Sequence, residues 1–295
     1  MVARRSPQTE RIVGIINLLT VDTSGAGVTL SELARRLQIS KATCYPMLEA
    51  LTQAGFLTRH PARKTFHLGP ALIAAGQAAA TQNPLFERAR DAMVELGHTL
   101  DLTAWLWSED GDQLRLVDQA WHSRRVTPYM RVGELLPFTP PRGAAVVAWG
   151  DERAAISWLN RGHIDEAERP AYLERLVQVR DTGYVVTLED VPIDVVRSLA
   201  GRLGDAMTPD DRARLLELLN NELPGGPGVF LTVVDPRERY SVRSIEAPVM
   251  ASDGTVAFTL GVTNLPAMHG KDVTQVGDQV RAAAVAASPH RAGAR

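Results

Sequence analysis

The chain has 295 residues, 45% of them hydrophobic and 22% charged, which suits two folded domains of ordinary size. Its net charge of −2 by itself indicates no particular partner. No apolar run reaches the roughly eighteen residues of a membrane span, and the basic N-terminus lacks the apolar segment of a secretory signal. The single cysteine, Cys44, cannot form an internal disulfide, so we expect a reducing, cytoplasmic location.

Charge is distributed unevenly along the chain. Residues 1–80 carry nine Lys or Arg against four Asp or Glu, a net charge of +5, whereas residues 81–295 carry 23 against 30, a net charge of −7. A basic module joined to an acidic body is typical of a protein whose N-terminal part binds a polyanion. Charge alone does not separate this interpretation from a chance cluster of solvated side chains.

The first two predicted helices are short and amphipathic. Apolar residues at helical spacing predict a helix over 9–20. Thr29 is a predicted N-cap of the second helix, and Glu32 stands where a capping box would return a bond to the Thr29 amide. Leu30, Leu33, Ala34 and Leu37 give this second helix its apolar face.

A third helix follows after a short turn. Ser40 is its predicted N-cap, it extends over about 41–54, and Gly55 ends it. Two helices joined by such a turn form a helix-turn-helix, whose second helix enters the major groove of DNA. The alternative is a helical hairpin with a polar face. Small, hydroxylated, basic or aromatic residues at the helix starts are the candidate DNA contacts: Thr29, Ser40, Lys41, Ala42, Thr43 and Tyr45.

A β-hairpin completes the predicted N-terminal domain. Residues 56–59 and 65–68 have the β-branched and aromatic content of strands, and residues 60–64 form a basic tip between them. Beside a helix-turn-helix, such a hairpin is a wing, although a solvated turn with incidental charge is the simpler alternative. The candidate phosphate or minor-groove contacts are Arg59, Arg63 and Lys64.

These segments together resemble the IclR family of bacterial transcriptional regulators. The order and spacing of residues 29–37, 40–45, 51–57 and 66–69 follow the family pattern, and the match continues through residue 76. The sequence departs from that pattern at Pro46, where the family usually has arginine. Because proline removes a backbone donor and crowds the carbonyl of Ala42, we expect the third helix to kink or to start later. DNA would still be bound, with altered docking.

The C-terminal sequence predicts an α+β domain. After Asn83-Pro84 an amphipathic helix over 85–100 would link the domains. Strands are predicted over 103–108, 113–120, 228–235, 241–249 and 255–263, and helices over about 142–160, 168–181, 190–204, 208–221 and 271–287. Helices mixed with antiparallel hairpins favour a curved sheet. The predicted division is a winged helix-turn-helix over 1–80, a linker helix over 81–100 and an effector-binding domain over 101–295.

The C-terminal part also resembles the IclR effector domain, which has a GAF-like fold. The resemblance is carried by residues 131–138 with Gly143, 179–184 and 247–256. It implies a small-molecule effector, an organic or aromatic acid. Arg142 would bind its carboxylate or would point to solvent. The residues that align with the family pocket are Phe138, Pro141, Arg142, Asp235, Ser244, Gly261 and Thr263.

The resemblance further implies a homodimer, or a dimer of dimers, that binds a double-stranded operator as repressor or activator. In the alternative, the C-terminal domain binds no ligand and serves only oligomerisation. Enzyme activity is not expected, because no HExxH, Walker or GxSxG motif occurs. No metal site, cofactor or membrane partner is expected either, since the histidines show no metal-ligand spacing.

Overall fold

The computed structural model describes residues 6–22, 25–121, 130–188 and 229–289, and the chain divides into two compact units, Met1–Pro84 and Leu85–Arg295. Within the described part, no helix is both long and apolar enough to cross a membrane.

The N-terminal unit is a winged helix-turn-helix. Its helices are α1 (Pro7–Val21), α2 (Leu30–Arg36), α3 (Lys41–Gln53) and α4 (Pro70–Thr81), and its strands are β1 (Val28–Thr29), β2 (Leu57–Arg59) and β3 (Thr65–Leu68). The strands form an antiparallel sheet in the order β1-β3-β2. One apolar cluster joins the first three helices to this sheet, with Ile15, Leu33, Leu48 and Leu57 at its centre. The sequence analysis did not predict α4.

The capping box of α2 forms only in part. The Thr29 hydroxyl accepts a hydrogen bond from the Glu32 amide at 3.2 Å, as predicted. The predicted return bond is wrong, because the Glu32 carboxylate instead binds Arg35 at 2.7 Å and Arg36 at 2.6 Å. Hydrogen bonds from Arg35 and then Arg36 lower the pKa of Glu32 to about 2.

The C-terminal unit is built on a six-stranded antiparallel sheet in the order β6-β5-β4-β10-β9-β7. The sheet strands are β4 (Thr103–Asp110), β5 (Gln113–Trp121), β6 (Leu135–Pro137), β7 (Val185–Leu188), β9 (Val242–Met250) and β10 (Val256–Thr263). Two short strands, β8 (Arg239–Tyr240) and β11 (Met268–His269), pair separately. The helices are α5 (Pro84–Leu100), α6 (Ala144–Val147), α7 (Glu152–Arg161), α8 (Arg169–Thr182) and α9 (Gly270–Ala287).

Apolar clusters cover both faces of this sheet. On one face, Ala89 and Met93 of α5 and Val280 of α9 pack with alternate residues of β4, β9 and β10. On the other face, residues of α6, α7 and α8 pack with Trp105, Trp107 and Val185. The predicted linker helix is therefore part of the C-terminal core, and its role as a linker stays a prediction.

The α+β class, the winged helix-turn-helix and the antiparallel sheet are confirmed, but two predicted elements are wrong. The helix over 142–160 is two helices, because Asp151 caps a new start with a 2.8 Å bond from the Ala154 amide. The strand over 228–235 is reduced to one bridge, Thr187 to Phe230, because Phe230 turns into an aromatic cluster with Trp158 and Tyr172. The helices predicted over 190–204 and 208–221 lie outside the described residues.

Candidate DNA interface and effector site

The helix-turn-helix presents one face of α3 to solvent. Cys44, Met47 and Leu48 are buried on the opposite face, where they anchor α3 to the domain core. Since these residues recur at helical spacing, the positions between them face outward. The exposed residues of this face include Lys41, Ala42, Tyr45, Pro46, Glu49 and Gln53.

Ser40 and Thr43 fix the start of α3. The Ser40 hydroxyl accepts a hydrogen bond from the Thr43 amide at 3.0 Å, and the two hydroxyl oxygens are 2.8 Å apart. Thr29 has the same role at the start of α2. Ser40 and Thr29 are thus helix caps, and Thr43 supplies the amide that Ser40 binds. These bonds set the position of the exposed side chains around them.

Tyr45 connects the exposed face of α3 with the wing. Its side chain is 43% exposed. Glu49 raises the pKa of the Tyr45 hydroxyl, and Arg59 on β2 partly offsets that shift. The Arg59 guanidinium lies 5.6 Å from the centre of the Phe66 ring. Sequence reasoning missed Glu49, although its position four residues after Tyr45 places both side chains on one helix face.

Pro46 lies inside a continuous helix. Because α3 begins at Lys41 and extends through Pro46 to Gln53, the expectation of a later start is wrong. The ring leaves the Ala42 carbonyl without its usual amide donor. It also leaves the middle of the exposed face without a hydrogen-bonding side chain, so the groups on that face that can bond to base edges are Lys41, Tyr45, Glu49 and Gln53.

The wing tip is a compact turn with basic side chains pointing outward. The Lys64 amide donates to the His60 carbonyl at 2.9 Å, and the Arg63 amide donates to His60 Nδ1 at 3.1 Å. Lys64 adopts a positive φ of 54°, which closes the turn. Arg59, Arg63 and Lys64 are all exposed, so their charges are available to a phosphate backbone.

Three of the predicted effector residues meet on the sheet of the C-terminal unit. Gly261 pairs with Glu246, and Thr263 pairs with Ser244 two residues along β9. Since directly paired residues share a face, the two central strands contribute a set of polar and small residues there. We call it the central patch: Ser244, Glu246 and Pro248 of β9, and Thr259, Gly261 and Thr263 of β10.

The remaining effector candidates have different surroundings. Phe138 is a core residue, held between Gly143 and the Arg161 guanidinium, which lies 4.7 Å from its ring centre. Pro141 is buried in the loop before α6. Arg142 is half-buried in the same loop, and its carbonyl accepts a 2.7 Å bond from the Trp158 indole. Asp235 is exposed in the loop before β8, outside the six-stranded sheet.

Glu246 is the ionisable member of the central patch, and sequence reasoning missed it. Its side chain is buried, with 8% exposure. Burial raises the pKa of Glu246 to about 7, and the Thr259 hydroxyl only partly offsets that shift. The signal in the sequence was a charge inside the otherwise apolar run from Ile245 to Met250.

Comparison with known proteins places the N-terminal domain. The profile of the IclR helix-turn-helix domain matches residues 9–61. A crystal structure of an IclR transcriptional regulator from Alicyclobacillus acidocaldarius has the same fold over 97% of this chain and 98% of its own, with a TM-score of 0.70 and 20% identity. Residues 9–61 thus carry an IclR-type helix-turn-helix. Outside that range, the structural likeness shows a shared fold.

Sequence relatives of this chain are named as regulators. BhcR of Paracoccus denitrificans is 25% identical over 182 residues, which cover 62% of this chain and 61% of BhcR. KdgR of Escherichia coli is 25% identical over 182 residues, covering 59% and 68%. Both are named as transcriptional regulators, in line with the expectation that this chain is not an enzyme.

A structural neighbour of this chain contains a ligand. It is an IclR homologue from Microbacterium hydrocarbonoxydans in complex with 4-hydroxybenzoate, with a TM-score of 0.55, 17% identity, and coverage of 95% of this chain and 97% of that one.

Proposed function

We propose that the chain is a transcriptional regulator that binds duplex DNA through α3 and the wing. The observation that carries the proposal is the exposed face of α3, with Lys41 and Tyr45, beside a wing tip with three exposed basic residues. The caps at Ser40 and Thr29 fix both helices before DNA arrives, so little ordering is needed on binding.

Fluorescence anisotropy with the full chain and its own upstream intergenic DNA tests this proposal. We expect binding at least about a thousandfold tighter than to a shuffled duplex of the same length. Arg63→Ala removes one exposed wing charge and should reduce the slope of log affinity against log salt by about one. Arg153→Ala, an exposed residue on α7, is the matched control and should leave the slope unchanged. Equal affinity for both duplexes would refute the proposal.

We propose further that a small molecule binds on the central patch and alters operator affinity. The patch supports this proposal because it places buried polar groups on a sheet whose flanking strands are apolar on that face. The 4-hydroxybenzoate complex of an IclR homologue is consistent with an aromatic ligand. The ligand would change the free energy of operator binding by the difference between its binding free energies for the two conformations of the chain.

We propose a homodimer as the DNA-binding form. Helix α4 has 12 residues, eight of them Ala, Leu or Ile, and no residue of it is buried within the chain. Since a helix of this length is marginal by itself in water, an exposed apolar α4 supports a second copy as its partner. A cytoplasmic location stays a prediction.

A further inference from the structure

Glu246 is a buried carboxyl in a position that a simple sheet core would fill with an apolar residue. Its neighbours along β9, Ile245 and Ala247, are fully buried in the apolar cluster on the opposite face. On its own face, no charged residue among those described shifts its titration, and the Thr259 hydroxyl is the group that lowers its pKa. A buried carboxylate without a cation carries a large desolvation cost, so a hydrogen-bond donor beside Glu246 would stabilise its charged form.

The surroundings of Glu246 combine indole surface with the small polar side chains of the central patch. Gly261 lies directly across from Glu246, and a Cβ there would overlap the indole of Trp105, which therefore rests on the glycine. Trp107 meets Trp105 edge to face, with ring centres 6.0 Å apart. A ligand that reaches Glu246 past these rings would contact indole surface and then one carboxyl group.

We propose that Glu246 selects effectors that present a hydroxyl or ammonium donor on an apolar, ring-sized body, and rejects those that present a carboxylate to it. A donor would replace the water that Glu246 loses on burial, whereas a second carboxylate would be repelled. This inference rests on the proposed effector site, but it reverses the polarity expected for an organic acid at that point. The raised pKa of Glu246 is consistent with a group that lacks its partner.

Isothermal titration of the full chain with three probes that share one ring tests the inference: benzylamine, benzyl alcohol and benzoate, at pH 7.5. We expect the amine and the alcohol to bind at least tenfold more tightly than benzoate. Glu246→Gln should weaken the amine at least tenfold and bring benzoate closer to it. If Glu246→Gln folds poorly, Glu246→Ala, which also removes the carboxyl, takes its place. It should show the same weakening of the amine relative to benzoate. Glu166→Gln, an exposed site in the segment between α7 and α8, should change nothing.

Several outcomes would overturn the inference: benzoate binding as tightly as the other probes, a ranking that Glu246→Gln leaves intact, or no binding by any probe. Operator binding is measured on the same preparations without ligand. Operator binding without the expected ranking refutes this inference alone. A chain that fails to bind its upstream DNA but ranks the probes as expected refutes the proposed regulator instead.

Discussion

Single residues decide how α3 can read DNA. The exposed face offers Lys41, Tyr45, Glu49 and Gln53, and Pro46 interrupts their polar surface. Glu49 raises the pKa of Tyr45 and Arg59 on β2 lowers it, so both charges act on the Tyr45 hydroxyl. The electrostatic surroundings of Tyr45 therefore include one residue of the helix and one of the wing.

Pro46→Arg should tighten operator binding about tenfold or change the preferred base at the position nearest α3. The arginine would add a charged donor in the middle of the exposed face and restore the amide that bonds to the Ala42 carbonyl. Pro46→Ala restores only the amide, so comparison of the two variants separates backbone from side chain. Selection from a random duplex library measures preference, and anisotropy measures affinity. If the arginine variant matches wild type in both measurements, Pro46 has no role in docking.

Glu246 should make stability depend on pH. Its pKa is about 7 in the folded chain, against an ordinary value of 4.5, so the folded state holds the proton more tightly. Its stabilising effect is complete below about pH 4.5 and is lost as pH rises through 7, with a total on the order of 3 kcal/mol. Urea unfolding of wild type and Glu246→Gln at pH 5 and pH 8 measures this effect.

Relative to Glu246→Gln, the free energy of unfolding of the wild type should fall between pH 5 and pH 8. Glu166→Gln provides the control, because an exposed carboxyl should leave the wild-type pH dependence in place. If the free energy of unfolding changes equally with pH in wild type and Glu246→Gln, the carboxyl is hydrated in the folded chain.

At the scale of elements, local chemistry was sufficient to predict most helices and strands of the N-terminal unit, although not α4. The hydroxyl at Ser40, the apolar spacing around Met47 and the glycine at position 55 each specify a helix boundary within a few residues. The wing strands were equally readable, because both of their ends are set by turn residues. Helix α4 was missed because its alanine-rich sequence has no polar face to produce a period.

The C-terminal unit was less readable because its elements depend on distant contacts. Asp151 divides one apolar stretch into two helices, and Phe230 leaves the sheet edge for an aromatic cluster with Trp158. The candidate site was predicted in part for the same reason. Ser244, Gly261 and Thr263 meet through strand register, whereas Asp235 lies in a separate loop. Glu246 becomes notable only when β10 and β7 are seen to bury it.

At the scale of the whole molecule, dimerisation would bring two head domains to one operator. A dimer reads two half-sites, and the second contact is then intramolecular, so assembly raises affinity without any new contact. The exposed face of α4 is the surface that we assign to this assembly. Ile73 on that face is 66% exposed.

Ile73→Glu should therefore weaken self-association and lower affinity for a two-half-site operator at least tenfold, while affinity for a single half-site changes less than threefold. A buried charge at a dimer contact lacks a partner, whereas an exposed one is solvated. Analytical ultracentrifugation measures assembly, and anisotropy on both duplexes measures binding. Val177→Glu on α8, where valine is 60% exposed, is the matched control and should alter neither. If the Ile73 variant keeps the wild-type assembly, α4 does not form the contact between copies. If Ile73→Glu lowers affinity for the single half-site as much as for the two-half-site operator, the substitution acts on DNA binding by the winged helix-turn-helix itself.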